Sequence, residues 1–237
     1  MPSRAIDHER RDNLMLRRLS RDDLRLIEPH LAPVELPLRD PLELPNERIE
    51  QVVFIDSGFA STVASGSVEV GLIGREGVTG LAVIMGTDRT PHETYMQSAG
   101  AGRKIRTAKL KQAMRQSETL RRALLNYGHT FVTQLIYTAR ANALNTIEQR
   151  LARWLLMALD RADADRVTLT HEFIALMLGV HRPGVTVALN LLEGAGLIQA
   201  RPGVIAIIDR KGLEKKSGGA YGVPEAEYRR LFGRERR

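Results

Sequence analysis

The spacing of hydrophobic positions changes three times along the 237 residues. Residues 1–30 carry an irregular apolar face of Leu14, Leu16, Leu19, Leu24 and Ile27, which predicts one or two short helices. Pro29 and Pro33 end them, because proline lacks a backbone donor and disfavours helix in the residue before it. From about Val34 to Arg106 the apolar runs are short, at 52–55, 68–73 and 95–97, with glycines at 58, 66, 74, 77, 100 and 102 that predict intervening turns. Strands at that spacing predict a small antiparallel barrel or sandwich. From about Thr119 to Ala162 no proline occurs, and Leu124, Phe131, Leu135, Thr138, Asn142 and Asn145 recur at helical steps, continuing to Ile147, Leu151, Trp154 and Leu155. A helix of some forty residues is long for a globular element, so it predicts a seam against a second copy of the chain. Two shorter core helices with a bend are the alternative. Asp163, Ala164 and Asp165 are expected to break the helix, and residues 215–219 read as a flexible connector.

Residues 170–193, THEFIALMLGVHRPGVTVALNLLE, are the most informative stretch. Thr170 is a good N-cap, and Phe173, Ile174, Met177 and Leu178 give a first helix of about two turns. Gly179 permits the left-handed conformation that ends a helix tightly, and Val180 plugs the angle before a second helix. That helix opens near Arg182 with Pro183 in its first turn, and Val185, Ala188, Leu189 and Leu192 form its inward face. Small Ala175 lets the two helices approach at a steep angle, the arrangement of a helix-turn-helix; a plain helical hairpin is the competing reading. Residues 197–200 and 204–208 then predict two strands joined at Arg201, Pro202 and Gly203, a wing with a basic tip placed to touch phosphate.

Composition narrows the chemistry. The net charge is +7, and residues 161–237 hold 13 Lys/Arg against 9 Asp/Glu, a modest preference for an anionic partner. With no cysteine, the chain has no disulfide, no thiolate-held zinc and no cysteine-ligated iron-sulfur cluster. The charged N-terminus and the lack of a long apolar run predict no signal peptide, no membrane partner and a cytoplasmic location. His171 and Glu172 begin like a zinc-protease motif, but Ala175 stands where the second histidine is required. No phosphate-binding Gly-x-x-x-x-Gly-Lys run and no Gly-x-Ser-x-Gly elbow occurs, so an enzyme is not expected.

Residues 147–156, the helix-turn-helix and the glycine-flanked wing together resemble the Crp/Fnr family of bacterial transcription regulators, most closely over 142–213. The resemblance implies an α+β chain: an antiparallel β-roll of the double-stranded β-helix or jelly-roll type in 1–118, a long dimerisation helix in 119–162, and a winged helix-turn-helix with its tail in 163–237. It further implies a homodimer on a two-fold symmetric operator in double-stranded DNA, with RNA polymerase as a further partner where such a regulator activates. Carried over by position, Arg182 falls where the family reads guanine, a base edge that suits its bidentate donors. Thr170 and His181 fall at phosphate-contacting positions. Pro183, Gly184, Thr186 and Val187 occupy the start of the recognition helix, with Asn190 and the wing's Arg201 as backbone contacts. Many members have glutamate at the place of Pro183 and arginine at that of Val187, so the usual half-site is not expected here. Cyclic-AMP-binding members need a glutamate where Val78 stands and an Arg-Ser pair that the segment around Arg89 and residues 90–94 lacks, so no cyclic nucleotide and no other cofactor is expected. The rival is a winged helix that docks protein without specific DNA binding.

Overall fold

The computed structural model describes residues 13–64, 68–162 and 166–233; Gly66 and the expected break at 163–165 lie outside them. Two short helices, α1 (Leu14–Arg18) and α2 (Arg21–Ile27), open the described chain, capped by Asn13 and Ser20. Asn13 is fully buried and its amide also donates to the carbonyls of Ile55 (2.8 Å) and Gly77 (2.7 Å), which pins the helices to the sheet that follows. A single 3-10 turn containing Pro29 ends this unit, as the prolines required.

The sheet consists of β1 (Ala32–Leu36), β2 (Pro41–Glu43), β3 (Gln51–Ala64), β4 (Val68–Ile73) and β5 (Glu93–Arg106), with a short α3 (Leu81–Ile84) before β5. Its order is β1-β5-β3-β4, with β2 also on β5, and every pairing is antiparallel. Glycine 58 and glycines 100 and 102 are not turns, contrary to the sequence expectation: they lie inside the two 14-residue strands. A Cβ on Gly100 would stand 1.9 Å from the Ser57 carbonyl oxygen, and one on Gly102 2.6 Å from that of Phe54. The glycines therefore admit close backbone approach where the register of β3 on β5 slips between Ile55 and Ala60.

After α4 (Thr107–Gln116), the proline-free run forms two helices rather than one: α5 (Glu118–Leu144) and α6 (Ile147–Leu159). Asn145 leaves the helical region, and Thr146 starts α6 with a reciprocal capping box to Gln149, so the break is written in polar caps and not in proline. Leu124, Phe131 and Leu135 of the stripe expected to form the seam face inward instead, while Asn142 is exposed. Leu124 and Phe131 are buried, Leu135 packs beside Phe131, and Gln134 accepts from the Leu72 N–H (2.7 Å) and donates to the Leu72 carbonyl oxygen (3.1 Å). A second stripe, Leu125, His129, Val132, Ile136, Ala139 and Ala143, alternates four- and three-residue steps and is exposed along its length. A helix apolar on two faces has its period fixed by sequence, whereas the assignment of faces depends on what packs against it.

The C-terminal unit is a three-stranded sheet of order β6-β8-β7, from β6 (Arg166–Thr168), β7 (Ile198–Arg201) and β8 (Val204–Ile207), beside α7 (His171–Leu178) and α8 (Arg182–Gly194). Leu151, Trp154 and Leu155 of α6 belong to this unit's core, so 119–162 serves two cores. Two buried polar links tie it to the β-roll: Glu69 of β4 accepts from Trp154 Nε1 at 2.6 Å, and Arg161 pairs with Glu76 at 2.7 Å. Residues 215–219 are no loose connector. Lys215 and Lys216 end α9 (Arg210–Lys216), Ser217 is fully buried, and Gly218 turns at φ 63° against Gln149, where only glycine sits without strain. The chain then returns through α10 (Val223–Phe232), whose Tyr228 and Phe232 pack on the β-roll core while the Tyr228 hydroxyl donates to the Glu76 carbonyl oxygen at 3.0 Å.

Candidate nucleic-acid interface

α7 and α8 are joined by a three-residue turn and meet at 105°. The angle follows from residues the sequence singles out. Gly179 adopts the left-handed conformation (φ 61°, ψ 42°) and its N–H caps the last turn of α7. Ile174, Ala175 and Leu178 meet Val185, Ala188, Leu189 and Leu192 in one buried cluster, with half-buried Val180 filling the corner. Four buried positions on one side of α8 leave the opposite side to solvent.

That outer side carries most of the expected contact residues. His181 is the N-cap of α8, exposed and with no side-chain capping bond, and Arg182 and Pro183 follow in the first turn. Thr186, Val187 and Asn190 continue the same face, Val187 being 58% exposed. The helix start also carries a partial positive charge that suits phosphate, although Pro183 has no N–H and the Gly184 N–H donates to the His181 carbonyl oxygen at 3.0 Å. Gly184 differs: it is half-buried, and a Cβ there would stand 3.0 Å from Ile147 Cδ1, so its lack of a side chain lets α8 lie against the start of α6. Thr170 caps α7 by accepting from the Phe173 N–H at 3.2 Å and is exposed at that helix's N-terminus. Arg201 ends β7 at the wing tip, where Pro202 and Gly203 (φ 75°) make the two-residue turn.

Three features escaped the sequence reading. Arg182 is ion-paired with Glu172 of α7 at 2.7 Å, both side chains being more than 60% exposed. Such a pair contributes little to stability and exchanges readily for another acceptor. Thr186 Oγ1 lies 3.3 Å from His171 Nδ1, so His171 belongs to the same surface. Strand β6 brings exposed Arg166 into the wing sheet, opposite Ala206. His171 and Glu172 directly follow Thr170 in the sequence, but their contacts with α8 arise only where the two helices cross, and β6 is only three residues long and has no periodic signal.

In the β-roll, Val78 is fully buried and bridged to Phe54, and Arg89 is exposed, donating to the Asn46 carbonyl oxygen and lying 3.9 Å from Asp88. Neither residue offers the buried cation or carboxylate that a cyclic phosphate and its ribose need, so these positions do not fit a cyclic nucleotide. Among the described residues no group of three His, Asp or Glu side chains converges as a metal site, and no single helix is long and apolar enough to cross a membrane.

Residues 149–216 match the family model of the Crp-like helix-turn-helix domain. No curated protein matches the sequence. Among solved structures, the chain is similar to a Crp/Fnr-family transcriptional regulator from Eubacterium rectale (TM-score 0.67, 20% identity, 86% of this chain and 97% of that one). It is also similar to FixK2 from Bradyrhizobium japonicum (0.67, 17%, 78% and 96%) and to the c-di-GMP-responsive global regulator CLP from Xanthomonas campestris (0.65, 16%, 79% and 99%). Residues 149–216 are thus a Crp-like helix-turn-helix domain, and the chain shares the fold of these Crp/Fnr-family structures.

Proposed function

We propose that the chain is a sequence-specific regulator that binds a two-fold symmetric operator as a homodimer, with α8 in the major groove and Arg182 reading a guanine in each half-site. The observation that carries this reading is the exposed first turn of α8, set at 105° to α7 over a buried apolar cluster, with an arginine as its first residue. Arg182 leaves Glu172 to donate to O6 and N7 of guanine, an exchange of one anionic or dipolar acceptor for another. Thr186, Val187 and Asn190 face the neighbouring bases or backbone, while Thr170, His181 and Arg201 meet phosphates on either side. The exposed stripe of α5 supports the dimer, because its alternating four- and three-residue steps are those of a paired helix seam. A regulator needs no bound cyclic nucleotide at Val78 and no catalytic group in this scheme, and its place of work is the compartment that holds the DNA.

Competition binding tests the central contact. Arg182→Ala is expected to cost roughly 1 to 3 kcal/mol of specific affinity while leaving non-specific affinity nearly unchanged. Equal binding of both proteins to the preferred site overturns the assignment, and no preference in either favours the protein-docking alternative.

A further inference from the structure

The side of α8 turned away from its core carries two ridges, each built at four-residue steps, and the two differ in chemistry. One is polar and consists of Arg182, Thr186 and Asn190. It leans toward α7, where Arg182 meets Glu172 at 2.7 Å and Thr186 Oγ1 lies 3.3 Å from His171 Nδ1. The other is apolar and consists of Pro183, Val187 and Leu191. All three are exposed, Val187 by 58% and Leu191 by 52%. Residues four apart are neighbours on a helix, so these side chains form one continuous strip.

The fold does not account for the valine in this strip. The core of the unit is filled from the opposite side of α8, by Val185, Ala188, Leu189 and Leu192, and a β-branched residue is a poorer helix former than alanine. What the strip meets therefore has to explain it. Its surroundings favour a polyanion: Arg182 borders it at the helix start, and the one carboxylate of α8, Glu193, is turned aside to accept from the Ala200 N–H of the wing at 2.9 Å. Among the base edges on the floor of the major groove, thymine is the one that adds an apolar group, its C5-methyl.

We propose that Val187 reads the C5-methyl group of a thymine in each half-site, as the apolar counterpart of Arg182 on the neighbouring ridge. The inference rests on the reading of α8 as the groove helix and adds a base that an arginine does not select. Five residues separate Arg182 from Val187, about 7.5 Å of helix rise. That distance places the thymine about two base pairs from the guanine, at roughly 3.4 Å per step. Leu191 stands one turn further on, past the N-terminal residues of a recognition helix that reach base edges.

Fluorescence-anisotropy titration of the full-length protein on its selected duplex tests the contact, with each thymine of the half-sites replaced in turn by deoxyuridine. The replacement removes one methyl group and leaves every hydrogen-bonding atom of the base edge in place. Wild type should lose about fourfold in affinity per half-site at one thymine, the one about two base pairs from the guanine. Val187→Ser should bind the thymine and deoxyuridine duplexes alike, at the weaker affinity, while Leu191→Ser should discriminate as the wild type does. The inference falls alone if Arg182→Ala abolishes the guanine preference but no nearby deoxyuridine weakens the wild type. It falls alone, too, if the selected half-site has no thymine there, if Val187→Ser still tells the two bases apart, or if Leu191→Ser loses the distinction equally. Failure to select any site overturns both this contact and the groove reading beneath it.

Discussion

The two halves of the molecule use polar side chains in opposite ways. The winged helix keeps its core apolar and sets Arg182, His181, Thr186 and Asn190 on the outside of one helix. The β-roll and the helices packed on it bury Asn13, Glu43, Glu69, Thr79 and Gln134 and satisfy each with a specific partner. A polar group on a rigid surface is free to read a partner, whereas a buried one fixes the geometry of its own chain. Glu69 shows the second use most clearly, since its two acceptor oxygens hold Ser61 within the roll and Trp154 across the joint to the DNA-binding unit.

The comparison breaks hardest at a glycine of the roll. Gly100→Ala puts a carbon 1.9 Å from the Ser57 carbonyl oxygen, a clash with backbone that no side-chain rotation relieves. We expect a loss of about 3 kcal/mol or more in chemical denaturation. The same change at Gly194, where a Cβ meets nothing, should cost no stability through packing. Next comes the helix that links the halves. Ile136 is 59% exposed at the centre of the free α5 stripe, so Ile136→Asp should turn a dimer into a monomer in sedimentation while the fold survives. A variant that stays dimeric places the seam elsewhere.

A smaller effect separates the halves by pH. Burial pushes the Glu69 carboxyl up from 4.5 to about 7, against the hydrogen bonds and arginines that favour its charged form. The folded chain therefore holds a proton that the unfolded chain releases, and this contribution to stability is complete below pH 4.5 and is lost as pH rises to about 7. The upper bound is roughly 3 kcal/mol. Thermal unfolding of the wild type should fall over that window more steeply than that of Glu69→Gln, and parallel curves would remove Glu69 as the cause.

What was legible in the sequence follows the same division. The helix-turn-helix could be read because every signal there is local: Thr170 caps, Gly179 turns, Pro183 starts, and the inward residues repeat at helical steps. The roll was readable as antiparallel strands but not in their lengths, since Gly58, Gly100 and Gly102 have the sequence appearance of turns and are set inside strands by the approach of a distant backbone. The two faces of α5 were confused for a related reason: Leu124 and Leu125 are neighbours with equal hydrophobicity, and only the sheet decides which is buried. α10 was missed because its apolar residues, Tyr228, Leu231 and Phe232, are few, and its docking partner lies more than 150 residues away at Glu76. Of the interface, the exposed face of α8 was foreseen, while the Glu172 partner of Arg182 emerged only when two helices crossed.

The central claim, that α8 reads DNA sequence in a dimer, is tested most directly by selecting random double-stranded DNA with the purified protein and sequencing the bound pool. The account predicts a two-fold symmetric consensus with half-sites about one helical turn apart and a guanine fixed in each. An enriched pool with no symmetry, or no enrichment at all, would contradict it.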